Sequence, residues 1–185
     1  LLIDFGADPT ILDKEGKSFL FYCISEGIKN ISVLQKVVLL GYDINSKNGQ
    51  NKTLLMESIN CYLHTPKDNV EIKNSHLEMI KELIHLGINV NALDNNNETL
   101  LFILVRHGNR ELLHLFLETN KMNLNYQNNQ DETPLLLMAL NGIKNADLIK
   151  LFLEKGANPD LKNQMGKSII EILVDIILYS ENKKP

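Results

Sequence analysis

The chain has no tryptophan, two cysteines, five prolines and ten glycines among its 185 residues. Two cysteines, Cys23 and Cys61, cannot build the disulfide framework that stabilises small secreted domains, so a reducing compartment is the simpler expectation. The low glycine and proline content excludes collagen-like and low-complexity chains. A basic surplus is also missing: 19 Lys and Arg face 23 Asp and Glu, for a net charge of −4 and a pI near 5.7. That balance argues against a general nucleic-acid binder. No apolar run approaches the roughly 20 residues needed to cross a bilayer. The stretch from Ile169 to Leu178 is interrupted by Glu171 and Asp175. No signal-peptide pattern is visible. With 44% apolar residues and little net charge, the chain does not read as disordered. What is present in excess is asparagine, 23 residues, clustered as in Asn95-Asn96-Asn97.

Self-comparison gives those asparagines a place. Five segments align: Gly16-Lys17-Ser18-Phe19-Leu20, Asn51-Lys52-Thr53-Leu54-Leu55, Asn97-Glu98-Thr99-Leu100-Leu101, Asp131-Glu132-Thr133-Pro134-Leu135 and Gly166-Lys167-Ser168-Ile169-Ile170. A second series, Gly6-Ala7-Asp8, Gly41-Tyr42-Asp43, Gly87-Ile88-Asn89 and Gly156-Ala157-Asn158, keeps the same period, with Asn120 in place of Gly in the remaining copy. Each copy reads as two helices. Ser18, Thr53, Thr99, Thr133 and Ser168 stand where a hydroxyl caps a helix start. Pro134 suits a first helical turn, and Ser168 with Glu171 fits a capping box. The second helices show helical apolar spacing: Leu34, Val37 and Val38; Ile80, Leu83 and Ile84; Leu112, Leu115 and Phe116; Leu148, Leu151 and Phe152. Gly41, Gly87, Asn120 and Gly156 are placed to stop them in the left-handed conformation. Two residues before each capping hydroxyl stands Gly16, Asn51, Asn97, Asp131 or Gly166, types that tolerate a turn with positive φ.

On these residues the chain resembles the ankyrin repeat family, whose period is about 33 residues. The best matches are Thr133-Pro134-Leu135-Leu136-Leu137-Met138-Ala139 and Leu153-Glu154-Lys155-Gly156-Ala157-Asn158. The resemblance implies an all-α ankyrin repeat solenoid, with helix-turn-helix units joined by long turns. The expected organisation is the end of a preceding repeat at 1–12, repeats at 13–47, 48–93, 94–127 and 128–162, and a terminal or capping unit at 163–185. Because Leu1 opens inside a repeat, a longer polypeptide is expected. The signature His is replaced by Phe21, Met56, Phe102, Leu136 and Glu171, so apolar packing is expected to assume part of its role. A wider Thr53-to-Thr99 spacing marks an insertion at about 61–74, expected to project as a loop whose most contact-like stretch is Tyr62, Leu63 and His64.

The resemblance also implies a function: binding a partner protein through the concave face, lined by turn tips and first helices. The contact candidates are Lys14, Glu15, Lys17, Gln50, Lys52, Asn96, Glu98, Arg106, His107, Gln130 and Glu132. Two alternatives stand beside an adaptor role. One is a host-targeting microbial or viral effector, which the Asn, Ile and Lys content of an AT-rich genome would fit. The other is a substrate of an asparaginyl hydroxylase, at Asn45, Asn91 and Asn125. An enzyme is not expected: there is no P-loop, Cys-x-x-Cys, His-Glu-x-x-His or nucleophile elbow. His107 and His114 are separated by Gly108, Cys23 reads as packed core, and Cys61 has no activating base beside it. No cofactor, metal, nucleic-acid partner or membrane contact is expected, since Lys183-Lys184 is too short a basic cluster. The expected state is a cytoplasmic monomer, with action inside a host cell and self-association through 163–185 as alternatives.

Overall fold

The computed structural model describes residues 6–26, 31–141 and 146–181. Leu1 to Phe5 of the leading fragment, and Lys183 and Lys184, lie outside them. The described residues form nine α-helices: α1 (Phe19–Ser25), α2 (Ile31–Leu39), α3 (Leu54–His64), α4 (Val70–His85), α5 (Leu100–His107), α6 (Arg110–Glu118), α7 (Pro134–Leu140), α8 (Ala146–Glu154) and α9 (Ile169–Glu181). Among these residues β-structure amounts to two isolated bridges, Leu12 with Ser18 and Lys47 with Thr53, each closing a turn. The chain divides into two compact units, Leu1–Asn95 with α1 to α4 and Asn96–Pro185 with α5 to α9.

Each unit is built by stacking first helices on one another, because a short amphipathic helix pair cannot bury both of its flanks alone. In the first unit α1 packs on α3, and α2 on α4; in the second α5 packs on α7, and α7 on α9. The second position of α1, α3, α5 and α7 shows the outcome: Leu20, Leu55, Leu101 and Leu135 are all 2% exposed or less. The replacements for the signature His behave as their chemistry requires. Phe21, Met56, Phe102 and Leu136 are buried, and Phe102 meets Tyr126 edge to face with ring centroids 6.4 Å apart. Glu171 stays exposed and accepts the Ser168 backbone N–H at 2.6 Å, half of a capping box.

Helix starts vary more than the hydroxyl pattern suggests. Thr53 and Thr133 accept the N–H of Met56 at 3.3 Å and Leu136 at 3.2 Å. Ser18 makes no cap bond and joins Tyr42 Oη instead, at 2.6 Å. Thr99 Oγ1 is buried with no partner. Helix ends follow expectation, since Gly41, Gly87, Asn120 and Gly156 all have positive φ. Gly108, at φ 62, ends α5 and places His107 and His114 on different helices.

The segment at 61–74 corrects the sequence expectation of a projecting loop. α3 is 11 residues long, four more than α1, and α4 is 16 residues long, seven more than α6. Those eleven extra helical residues match the difference between the 46-residue spacing and the usual 35, so the insertion lengthens a helix pair. Only 65–69 connect the two helices. Tyr62 is buried at 3% exposure with Lys73 Nζ 4.7 Å from its ring centroid, so it belongs to the core and not to a contact loop.

Candidate functional site

The polar turns that precede the first helices share one construction. An Asp or Asn side-chain oxygen accepts two backbone N–H groups, two and four residues on. Asp13 Oδ1 takes Glu15 N and Lys17 N at 2.8 Å each. Asn48 takes Gln50 N and Lys52 N at 3.0 Å. Asn128 takes Gln130 N at 2.9 Å and Glu132 N at 3.0 Å, and Asn163 takes Met165 N at 3.0 Å and Lys167 N at 3.1 Å. A backbone bond closes each ring from the same residue, such as Asn48 N to the Lys52 carbonyl at 3.0 Å. The residue before the second N–H donor has positive φ, as anticipated: Gly16, Asn51, Asn97, Asp131 and Gly166 lie between 56° and 70°. The locking Asx residues are the feature that reading two residues upstream of the hydroxyl missed. Their signal is a regular Asp or Asn five places before it, at Asp13, Asn48, Asp94, Asn128 and Asn163.

Neighbouring turns within a unit are also joined. In the first unit, Gly49 N donates to the Glu15 carbonyl at 2.9 Å. A Cβ on Gly49 would sit 2.5 Å from that oxygen, and one on Gly16 would sit 2.7 Å from Gly49 N. Only glycine permits this approach. In the second unit, Asn129 Nδ2 donates to the Asn96 carbonyl at 3.4 Å, Gln164 Nε2 to the Asn129 carbonyl at 2.8 Å, and Gln127 Nε2 to the Lys162 carbonyl at 3.0 Å. At the far end of each helix pair, Asn45 Oδ1 accepts Asn89 N and Asn125 Oδ1 accepts Asn158 N, both at 2.7 Å. Two of the three asparagines singled out as hydroxylation candidates therefore bridge successive repeats.

The contact candidates separate into groups. Lys14, Glu15, Lys17 and Gln50 line one cleft of the first unit. Lys17 pairs with Glu15 at 2.7 Å, which raises its pKa, and lies 5.9 Å from the centre of the Tyr22 ring. The Tyr22 hydroxyl donates to Asp13 and holds that carboxyl below its ordinary range. Lys52 is half-buried on the adjoining turn. In the second unit Asn96 and Gln130 are exposed and Glu132 is half-buried.

Glu98 is a correction. It is 4% exposed, so it is an internal anchor and not a surface contact. Both of its carboxylate oxygens engage the Arg106 guanidinium, and Oε1 also accepts from Asn128 Nδ2 at 3.2 Å. Arg106 foremost, then Asn128, lower its pKa against the effect of burial. Arg106 thus folds back towards the turn that precedes its own helix. His107 does not join the turns: it ends α5, about 12 Å of helix from the α5 start. The cysteines offer no activated thiol, because burial pushes both up to about 11. Among the described residues no group of three His, Cys, Asp or Glu is placed to hold a metal ion, and no helix is long and apolar enough to cross a membrane.

Comparison with known proteins agrees with this construction. A protein of Acanthamoeba polyphaga mimivirus described as an ankyrin repeat protein is 28% identical over 97% of this chain, and the match takes in 21% of that protein. Human Rabankyrin-5 is 26% identical over 88% of this chain and 14% of its own length. The chain thus spans less than a quarter of either relative. The solved structure of a predatory endopeptidase of Bdellovibrio bacteriovorus in complex with an immunity protein superimposes with a TM-score of 0.68 at 22% identity, covering 99% of this chain and 90% of that one; the likeness is one of fold. A family model for ankyrin repeats in three copies matches residues 69–163, half of the sequence, and the chain belongs to the ankyrin repeat family.

Proposed function

We propose that this chain binds a partner protein with its turn tips and the adjoining faces of its first helices. Ankyrin repeats are in general protein-interaction modules on a non-enzymatic scaffold. The observation that carries the reading is the combination of a locked backbone with exposed side chains. Asp13, Asn48, Asn128 and Asn163 fix their turns, and the bonds between turns fix adjacent tips within a unit. Lys14, Glu15, Gln50, Asn96 and Gln130 nonetheless remain exposed. Such a platform loses little conformational entropy when a partner docks, which favours affinity from polar contacts that would otherwise be weak. The contacting set proposed is Lys14, Glu15, Lys17, Gln50, Lys52, Asn96, Gln130 and Glu132, with Arg106 contributing where it overlies the turn and Glu98 holding Arg106 in place.

The test is quantitative affinity capture with the wild-type chain and with a Lys14→Ala, Gln50→Ala, Gln130→Ala variant. Proteins retained by the wild type are expected to be lost from the variant while its melting temperature is unchanged. Equal retention by both chains would overturn the reading.

A further inference from the structure

The turns of the first unit differ from those of the second in charge, and the difference bears on what kind of partner segment they fit. Turns 13–17 and 48–52 enclose a cleft of about 370 Å³ lined by Lys14, Glu15, Gly16, Lys17, Gly49 and Gln50. The floor is bare backbone, because Gly16 and Gly49 approach too closely for any side chain. Four lysines, Lys14, Lys17, Lys47 and Lys52, fall in or beside these two turns of a chain whose net charge is −4. In the second unit turns 94–98 and 128–132 carry Asp94, Glu98, Asp131 and Glu132, with Arg106 bound to Glu98, and the lysines in or beside turn 163–167 face acids, Lys167 with Asp175 and Lys162 with Glu171 at 3.9 Å.

Two acids beside the cleft, Asp13 and Glu15, are already committed, while Glu57 in the first turn of α3 lies near enough to act on Lys17. The Asp13 carboxylate accepts from the Tyr22 hydroxyl and from two backbone N–H groups. Glu15 is paired with Lys17. Lys47 Nζ donates to the Leu93 carbonyl at 2.8 Å. Among the described residues, the side chains of Lys14 and Lys52 have no such partner, and the exposed Gln50 amide stands between them in sequence on the second turn.

We propose that this cleft receives an acidic peptide segment, one carboxylate meeting the Lys14 ammonium in the wall, a second reaching Lys52 on the end of turn 48–52 beside the cleft, and its backbone meeting the Gln50 amide. The proposal rests on the protein-interaction reading above and names the chemistry of the partner. Singly charged carboxylates fit better than a phosphate dianion, because the Glu15 carboxylate remains in the wall and no arginine fork is present to chelate phosphate. Exposed ion pairs of this kind are individually weak and screened by salt, so two of them acting together on a preformed cleft set preference more than total affinity.

The test uses the full chain and a phage-displayed library of randomised peptides, with Lys14→Gln/Lys52→Gln as the comparison. Wild type is expected to enrich peptides rich in Asp and Glu, and the variant to lose that enrichment. A synthetic copy of an enriched peptide should bind the double variant about tenfold more weakly at low salt, with the gap closing at high salt. If the double variant melts lower than the wild type, the single Lys14→Gln change at an exposed position carries the comparison. Enriched peptides without acidic bias, or bound equally by both chains, overturn the cleft assignment. If those peptides still require Gln50 and Gln130, the interaction reading survives alone; if the wild type enriches nothing, both fall.

Discussion

Glu98 and Thr99 are adjacent in sequence and opposite in satisfaction. Glu98 is buried with its carboxylate engaged by Arg106 and Asn128, while the Thr99 hydroxyl beside it is buried with no partner. Removing the Glu98 carboxylate by Glu98→Ala takes a buried acceptor from Arg106 and Asn128 and is expected to cost about 1–3 kcal/mol, measured by urea unfolding. Because the folded-state pKa of Glu98 lies below its ordinary value, its contribution is present above the ordinary carboxyl pKa and lost as the pH falls through the lowered folded value. Wild type should therefore lose more melting temperature than Glu98→Gln between about pH 5 and about pH 3. A parallel decline in the two proteins would show that the pair contributes nothing. Thr99→Val removes an unsatisfied hydroxyl and is expected to be neutral or stabilising. The same change at Thr133, whose Oγ1 caps α7, should cost about 1 kcal/mol. The hydroxyl pattern is legible in the sequence at both sites. Their different fates are not, because they depend on whether the N–H three residues on comes within reach.

At the scale of elements, the helices were legible where apolar spacing and turn chemistry agreed. Leu112 and Phe116 of α6 are fully buried, as are Ile80 and Leu83 of α4. The insertion shows in the sequence by its length but not by its form. Cys61 to His64 continue α3, and Val70 to Asn74 open α4 beneath an Asn69 cap whose side chain accepts Ile72 N at 3.4 Å. A proline and an aspartate in the connection look like loop chemistry, yet only 65–69 lie outside the helices. Tyr62 distinguishes the two descriptions. As a buried core residue its replacement by Ala should cost about 3 kcal/mol of unfolding free energy; as a loop contact it would cost almost nothing. The turn clefts have a matching sensitivity. Gly49→Ala would press a Cβ against the Glu15 carbonyl, so the turns must part, at about 1–3 kcal/mol. A crystal structure or melting curve of that variant indistinguishable from wild type would refute the close approach.

Across the whole chain, equivalent positions explain what stacking does. Leu135 and Ala139 of α7 are 1% and 0% exposed, and Leu101 and Val105 of α5 are 0% and 4% exposed. Ile170 and Val174 hold the same places on α9 and are 63% and 46% exposed. Burial in a repeat array therefore follows neighbours and not residue type. Ile170→Glu is expected to leave the melting temperature within about a degree of wild type, whereas Leu135→Ala should cost about 2–5 kcal/mol. The period, the turn residues and the family were readable because each repeats locally. The state of the candidate site residues was not, since Glu98 is buried by Asn128 from the next repeat and by Arg106 from the far end of α5. Sequence type alone put Glu98 with Gln50 and Gln130; only packing separates an anchor from an exposed contact. The central claim, that the turn tips form the binding surface, is tested most directly by hydrogen–deuterium exchange of the chain with and without a captured partner. Protection concentrated in turns 13–17, 48–52 and 128–132 and in the starts of the following helices is the expected result. Protection confined to α2, α4, α6 and α8, with those turns unchanged, would contradict it.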